Sequence, residues 1–201
     1  MKIGLFFGSF NPIHHGHLSI AQAFQKQAHL DQLWWIVSPQ NPHKSPLELA
    51  SFSHRLAMAK IALSHYPEYY ISDIEETLPK PSYTIDTLTF LEKQFPHHHW
   101  ILLMGTDSWN SLPTWKQGNI IEDKYPVFVY PRNGELEMRK GRCHLLKGTF
   151  HDISSTLIRN ELHDQKKTNY LDRKVWQYIQ EHRLYQSPNM ALTMSTWSTF
   201  S

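Results

Sequence analysis

The residues best suited to chemistry stand together in one short segment near the amino terminus. Residues 8–17 read Gly-Ser-Phe-Asn-Pro-Ile-His-His-Gly-His and separate an apolar run from a helical pattern. Glycine permits a tight turn or the close approach of a ligand to the backbone. The free N–H groups and positive dipole end of a helix start attract phosphate, and His14 and His17 can project from one side of that start. The segment therefore predicts a phosphate-binding turn.

Two other interpretations of this segment stay open at this point. It could be a Gly/Pro loop whose polar side chains only cap the helix. The two histidines could also be half of a zinc site, although a third ligand of the usual kind does not lie nearby in the sequence. The position of the segment, at the first strand-to-helix turn, favours phosphate over both.

A second segment with chemical potential lies far along the chain. Residues 153–159 read Ile-Ser-Ser-Thr-Leu-Ile-Arg. Ser154 and Ser155 offer hydroxyl groups at a predicted helix start, and Arg159 follows one turn later with a guanidinium fork suited to phosphate oxygens. A helix capped by serine with a solvated arginine is the alternative. The segment predicts an anion cradle.

The elements that must position these segments alternate between strand and helix. Apolar runs predict strands over Ile3–Phe7, Leu33–Val37, Tyr69–Ile74, Trp100–Met104, Val127–Tyr130 and, weakly, His144–Leu146. Apolar residues recur at helical intervals in five stretches, and these predict helices from Gly16 onward and over Phe52–Leu63, Thr84–Gln94, Ser154–His163 and Asp172–His182. In the fourth of them, Leu157, Ile158 and Leu162 are expected to face inward. This order predicts an α/β, Rossmann-like, doubly wound and mainly parallel sheet with helices on both faces and a small C-terminal helical part. We expect one domain over 1–185 and a loose tail over 186–201.

Composition excludes several classes of protein. The 201 residues carry a net charge of +2 with histidine neutral, which argues against binding nucleic acid by bulk charge. The single cysteine excludes an internal disulfide, and no apolar run approaches the roughly 18 residues of a membrane span. A cytoplasmic protein with neither nucleic-acid nor membrane partners is the expectation. The 14 histidines leave a metal carrier open.

The two segments together resemble the marks of a nucleotidyltransferase superfamily, His-x-Gly-His and Ile-Ser-Ser-Thr-x-x-Arg. Within that superfamily, the middle of the chain is similar to bacterial nicotinate-nucleotide adenylyltransferases. The similar stretches are Pro42-His43-Lys44, Pro81–Thr84, Met104–Ser108 and Leu112–Lys116. The resemblance implies transfer of AMP from ATP to nicotinate mononucleotide, with Mg²⁺ bound mainly through the ATP phosphates and no dedicated protein metal site.

The resemblance also implies roles for particular residues. Three residues would act catalytically: His14, His17 and Arg159. The residues implied for ATP are Gly8, Ser9, Phe10, His14, His17, Lys44, Gly105, Asp107, Ile153, Ser154, Ser155 and Arg159. Those implied for nicotinate mononucleotide are Ser9, Asn11, Lys44, Ser82, Tyr83, Thr84 and Trp115. An imidazole in contact with phosphate would favour its cationic form.

The chain departs from the family pattern at positions that bear on substrate binding, one of which is Ser9, where a threonine is frequent. Asn11 stands where an aspartate is common, and Lys116 stands where an aromatic residue commonly follows the tryptophan. Three alternatives remain open: an adenylyltransferase for another phosphate acceptor such as nicotinamide mononucleotide, a catalytically silent nucleotide-binding module, and a metal carrier. A homo-oligomer is also left open.

Overall fold

The predicted strands form one parallel sheet in the order β3-β2-β1-β4-β5-β6. The computed structural model describes residues 1–39, 49–132, 135–137, 142–150, 153–164, 166 and 168–186. The strands are β1 (Lys2–Gly8), β2 (Gln32–Val37), β3 (Tyr69–Ser72), β4 (His99–Gly105), β5 (Val127–Tyr130) and β6 (Cys143–Leu145). The expected α/β, parallel architecture is confirmed.

Eight α-helices cover this sheet in the described part of the chain. They are α1 (His15–Ala28), α2 (Phe52–Leu63), α3 (Ile74–Thr77), α4 (Thr84–Gln94), α5 (Thr106–Ser111), α6 (Gly118–Lys124), α7 (Ser155–His163) and α8 (Arg173–Glu181). A 3₁₀ turn over Leu112–Thr114 joins α5 to the loop before α6. The short helices α3, α5 and α6 are not predicted by the sequence pattern, because so few residues show too little periodicity.

The order of the strands fixes where a ligand binds. The chain runs outward from β1 through β2 to β3, then returns to the other side of β1 with β4 and continues to β5 and β6. The carboxyl ends of β1 and β4 therefore flank the point where the winding direction reverses. Open α/β sheets bind ligands in the crevice at this point. The residues after Gly8 and Gly105 lie there.

Both faces of the sheet are buried against helices. Phe6 and Trp35 face a core that includes Phe24 of α1, Met58 of α2 and Val175 of α8. The alternate strand residues, such as Leu5 and Leu102, face a second core with Leu88 of α4 and Ile121 of α6. Because successive strand residues point to opposite faces, one apolar run supplies both cores.

Two details of the expected fold are wrong. The third strand ends at Ser72, and Ile74 begins α3 instead of closing the strand. Leu157 is 40% exposed, whereas Ile158 and Leu162 of the same helix are buried. One residue corresponds to about 100° around a helix, so the neighbour of a core residue can face solvent.

Within the described residues, the search for a helix that is long and apolar enough to cross a membrane found none.

Candidate active site

The loop between β1 and α1 is built around a buried aromatic ring. Phe10 has a left-handed backbone, with a φ of 43°, and its ring lies 5.2 Å from the rings of both Trp35 and His17, measured between centroids. A Cβ on Gly8 would approach the Phe10 ring to 2.8 Å. Gly8 thus makes room for a core side chain, a packing role that the phosphate interpretation of the sequence does not include.

Three carbonyl oxygens of this loop are held by side chains from other elements. Arg55 Nη1 donates to Ser9 O at 2.8 Å, and Arg159 Nη1 donates to Asn11 O at 3.1 Å. Ser155 Oγ donates to Pro12 O at 3.0 Å. A carbonyl oxygen that faced a bound phosphate would repel it, so these bonds favour an anion site by occupying the acceptors of the loop.

Arg55 is a functional candidate that the sequence reasoning missed. Its side chain is 1% exposed and donates not only to Ser9 O but also to the carbonyls of Ala50, Ser38 and Pro39, at 2.7–3.0 Å. Burial lowers the pKa of its guanidinium from the usual value, yet an arginine stays charged. One sequence feature could have identified it: Arg55 precedes the buried Ala59 by one helical turn and therefore lies on the core side of α2.

The two histidines of the first segment contact each other. The backbone N–H of His14 donates to His17 Nδ1 at 3.2 Å, and the two imidazole rings stack with centroids 3.7 Å apart. Because His17 Nδ1 accepts this bond, the neutral form of His17 carries its proton on Nε2. His17 is therefore oriented as a donor through Nε2.

His14 is buried, and burial changes its chemistry. The ring is 5% exposed, and its Nδ1 has no hydrogen-bond partner within the described residues. Burial, with the positive charges of Arg132 and His15, lowers the pKa of His14 to about 3. The unliganded protein therefore holds His14 neutral near neutral pH, which contrasts with the cation expected for an imidazole on phosphate.

Gly16 allows the two predicted segments to meet. A Cβ at this position would lie 2.9 Å from His14 Nδ1 and 3.3 Å from Ile153 Cβ. Beyond Ile153, Ser154 caps α7 by accepting from the Leu157 N–H at 3.1 Å. The segments that begin at Gly8 and Ile153 are thus in contact, although more than a hundred residues separate them.

Arg159 joins the second segment to the first loop through its guanidinium. Nη1 binds Asn11 O, and Nη2 donates to Thr156 Oγ1 at 3.3 Å. His17 hydrogen-bonds the other end of the same loop, at His14. The two distant segments therefore meet at one loop, which brings His17 and Arg159 to the same part of the molecule.

The end of β4 adds a carboxylate on the far side of the crevice. Gly105 precedes α5, and Asp107 lies in the first turn of that helix. Arg132, which follows β5, approaches Asp107 with Nη1 3.5 Å from Oδ2. Arg132 was missed by the sequence reasoning, and its position directly after a strand end was the available signal. Asp107 can accept from sugar hydroxyls here.

The amide side chain of Asn11 binds two other parts of the chain. Tyr185 Oη donates to Asn11 Oδ1 at 2.7 Å, and the Ala50 N–H donates to the same oxygen at 3.1 Å. Burial raises the pKa of the Tyr185 phenol, so the hydroxyl keeps its proton for this bond. Nothing in the sequence pattern marked Tyr185 as part of the site.

A second group of predicted residues lies at the start of α4. Ser82 is buried and donates to Glu75 Oε2 at 3.2 Å, while Thr87 Oγ1 donates to Glu75 Oε1 at 2.9 Å. Burial raises the pKa of the Glu75 carboxyl, against hydrogen bonds that lower it. Tyr83 and Thr84 follow Ser82, with Tyr83 partly exposed.

The loop that carries Trp115 lies beside this group. Trp115 is half-buried, and its indole N–H donates to Ser111 Oγ at 3.2 Å. The next residue, Lys116, binds both carboxylate oxygens of Asp86 and lies over the Tyr83 ring. Lys44, which the sequence assigns to both substrates, lies outside the described residues.

Within the described residues, no group of three or more His, Cys, Asp and Glu side chains could hold a metal ion.

Comparison with known proteins gives consistent results. Residues 5–161 match the family described as Cytidylyltransferase-like. A protein of Cytophaga hutchinsonii named "Probable nicotinate-nucleotide adenylyltransferase" is 41% identical over 191 residues, covering 93% of this chain and 99% of the relative. A Flavobacterium johnsoniae protein of the same name is 40% identical over 193 residues, covering 92% and 100%.

Solved structures agree on the fold. The Plasmodium falciparum nicotinic acid mononucleotide adenylyltransferase complexed with NaAD superposes with a TM-score of 0.77 at 19% identity. The superposition covers 92% of this chain and 97% of the other. At this identity, the likeness establishes the shared architecture of the two chains.

Proposed function

The chain belongs to the cytidylyltransferase-like family and, within it, to the nicotinate-nucleotide adenylyltransferases, and from this premise we propose how its residues perform the reaction. The enzyme transfers AMP from ATP to nicotinate mononucleotide and releases nicotinate adenine dinucleotide and pyrophosphate. The observation that best supports our assignment of residues is the convergence of the His17 segment and Arg159 on one loop.

The reaction needs positioning and charge stabilisation more than proton transfer. An oxygen of the mononucleotide phosphate forms a bond to the α-phosphorus of ATP, and the bond from that phosphorus to the pyrophosphate oxygen breaks. The attacking phosphate is already an anion at neutral pH, so it requires no general base. Hydrogen-bond donors and cations that point at the α-phosphate of the transferred adenylyl group stabilise the charge of the transition state.

We assign the phosphates of ATP to the first loop and to α7. His17 Nε2 donates to the α-phosphate as charge develops in the transition state, and Arg159 with the first N–H groups of α7 holds the β- and γ-phosphates. The loop of Gly8, Ser9 and Phe10 lies under the shared phosphate. The occupied carbonyls of the loop support this assignment, because acceptors that are already bonded repel an anion less.

His14 serves in this assignment as a neutral group. Its burial disfavours the cationic form. Its ring stacks on the His17 ring, and its backbone N–H donates to His17 Nδ1. Gly105 and Asp107 take the adenosine ribose, since a carboxylate can accept from two hydroxyls. The Arg132 guanidinium orients Asp107 for this contact.

Nicotinate mononucleotide binds on the other side of the crevice. Its phosphate lies by Ser9 and Asn11, with Lys44 neutralising charge. Ser82, Tyr83 and Thr84 present donors to the nicotinate carboxylate at the start of α4, and Trp115 stacks on the pyridine ring. The contact of Lys116 with Tyr83 supports this grouping, because it brings the two halves of the pocket together.

Mg²⁺ enters in this proposal as part of the substrate, MgATP. Imidazole and amide groups dominate the first loop, whereas Mg²⁺ prefers oxygen ligands and keeps several of its waters. We therefore assign the ion to the phosphate oxygens of ATP.

Pyrophosphate release with MgATP and each of two mononucleotides tests the function. We expect turnover with nicotinate mononucleotide and slower turnover with nicotinamide mononucleotide. Arg159→Ala should raise the KM for ATP about tenfold by removing one charged contact. Arg173→Ala, an exposed arginine at the start of α8, is the matched control. Unchanged ATP affinity in Arg159→Ala would contradict the assignment of the triphosphate to α7.

A further inference from the structure

Lys116 is the contact between the Trp115 loop and the first turn of α4. Its ammonium lies 2.8 and 2.9 Å from the two carboxylate oxygens of Asp86, and 4.9 Å from the centroid of the Tyr83 ring. The side chains of Lys116 and Asp86 are 46% and 37% exposed. The ion pair therefore lies at the surface, beside residues that the proposed function assigns to the nicotinate carboxylate.

Two carboxyl groups lie near Tyr83 and Thr84. The Glu75 carboxyl is buried behind Ser82 and Thr87, and Asp86 follows Tyr83 and Thr84 in the first turn of α4. A negatively charged ligand at Tyr83 would meet the Asp86 charge at short range. The Lys116 ammonium cancels that charge and adds a cation over the Tyr83 ring.

Two roles for Lys116 are physically distinct. As a mechanical link between the Trp115 loop and α4, it would support every mononucleotide equally, because the pyridine ring is common to them. As a charge, it would support only a ligand with its own negative group at the ring. Nicotinate mononucleotide carries such a carboxylate, and nicotinamide mononucleotide carries a neutral amide in its place.

We propose, on the basis of the proposed function, that the Lys116 ammonium is a specificity-determining group that selects nicotinate over nicotinamide mononucleotide. It acts by attracting the nicotinate carboxylate and by cancelling the repulsion from Asp86. The charge thus adds to any preference for nicotinate mononucleotide that arises from the hydrogen-bond donors of Ser82–Thr84.

The test compares the ratio of kcat/KM for the two mononucleotides in four proteins. In Lys116→Met, which keeps an apolar stem of similar length, this ratio should fall about three- to fivefold, the upper part of the range for an exposed charge pair. In Lys116→Arg the ratio should stay near the wild-type value. In Asp86→Asn the ratio should rise, because the cation loses its competing anion.

Lys124→Met is the matched control. Lys124 also forms an ion pair with a carboxylate of α4, Glu92, at 2.6 Å, and lies 5.4 Å from the centroid of the Tyr125 ring. The pair stands at the far end of the helix, so its loss should leave the ratio unchanged. Raising the salt concentration should lower the ratio in the wild type but not in Lys116→Met, because ions screen exposed charges.

The possible outcomes distinguish a charge effect of Lys116 from a mechanical one, and both from a failure of the proposed function. Equal losses for both mononucleotides in Lys116→Met and in Asp86→Asn would show a mechanical link and overturn the charge proposal. An unchanged ratio in Lys116→Met would also overturn it. Failure of the wild-type protein to release pyrophosphate with either mononucleotide would instead contradict the proposed function.

Discussion

The two ends of the proposed site are held in place by different kinds of contact. At the phosphate end, buried or half-buried side chains of α2 and α7 bind backbone carbonyls of the first loop. At the pyridine end, exposed side chains bind each other, as in Lys116 with Asp86 and Trp115 with Ser111. A backbone contact in the interior cannot be changed without leaving a polar group unpaired, whereas an exposed pair contributes little to stability.

This difference separates the stable part of the chemistry from the adjustable part. Both substrates carry phosphate groups, and the loop to which we assign them is tied to the core. Only the acceptor differs at the ring, and there single surface residues can change without disturbing the fold. Lys116 illustrates the point, because it contacts Tyr83 of the proposed site without belonging to either apolar core.

The largest effect is expected from Arg55→Met, which tests whether the phosphate end depends on its buried contacts. The change removes the donors from four carbonyls that have little access to water. We expect the free energy of unfolding to fall by about 3 kcal/mol or more. Urea denaturation measures it, with exposed Arg173→Met as the control for loss of one positive charge. If Arg55→Met lowered the free energy of unfolding as little as Arg173→Met does, the phosphate end would tolerate substitution as well as the pyridine end.

His17→Ala tests the chemistry of the phosphate end separately from its stability. Loss of a donor used mainly in the transition state should lower kcat by about 10²-fold, with a modest change in the KM for ATP. Steady-state kinetics with nicotinate mononucleotide measures both constants. If the variant kept most of its kcat, His17 would be a structural residue only.

Trp115→Ala tests the pyridine end in the same way. Removing the stacking surface should raise the KM for nicotinate and nicotinamide mononucleotides by about tenfold each, because the ring is common to both. The KM for ATP should change by less than about twofold, since we assign the phosphates of ATP to the other end of the site. A comparable rise in the KM for ATP would show that the two ends are coupled.

His14→Gln provides the smallest effect and concerns pH. Burial lowers the pKa of His14 to about 3, whereas an unfolded histidine titrates near about 6.5. As the pH falls below about 6.5, the unfolded chain takes up a proton that the folded protein does not, and the wild type loses stability. Glutamine does not titrate, so the variant should lose less stability between about pH 7 and pH 5. If the urea midpoint shifted equally with pH in the wild type and in His14→Gln, the lowered pKa of His14 would be refuted.

The sequence predicts the sheet and the two chemical segments because both depend on local patterns. The bounds of α4 and β5 are as expected, since apolar residues recur there at regular intervals. The contact partners in the site could not be predicted in the same way. Arg55 appears as one polar residue in an amphipathic helix, and only the tertiary structure shows that its guanidinium is surrounded by carbonyls.

The same limit applies to residues that bind over long distances in the chain. The roles of Arg159 and Tyr185 at Asn11 depend on how α7 and α8 pack on the sheet, and no spacing in the sequence encodes that. The neutral state of His14 likewise results from burial by surrounding residues. Motif chemistry alone predicts a histidine that carries charge.

The bond from Tyr185 to Asn11 spans 174 positions of the sequence. Asn11 is synthesised 174 residues before its partner, which follows all six strands of the sheet in the chain. The nascent chain can therefore form the strands and helices of the sheet before the first loop has all of its hydrogen bonds. The bond from Tyr185 that completes the first loop therefore has to wait until the six strands have been synthesised.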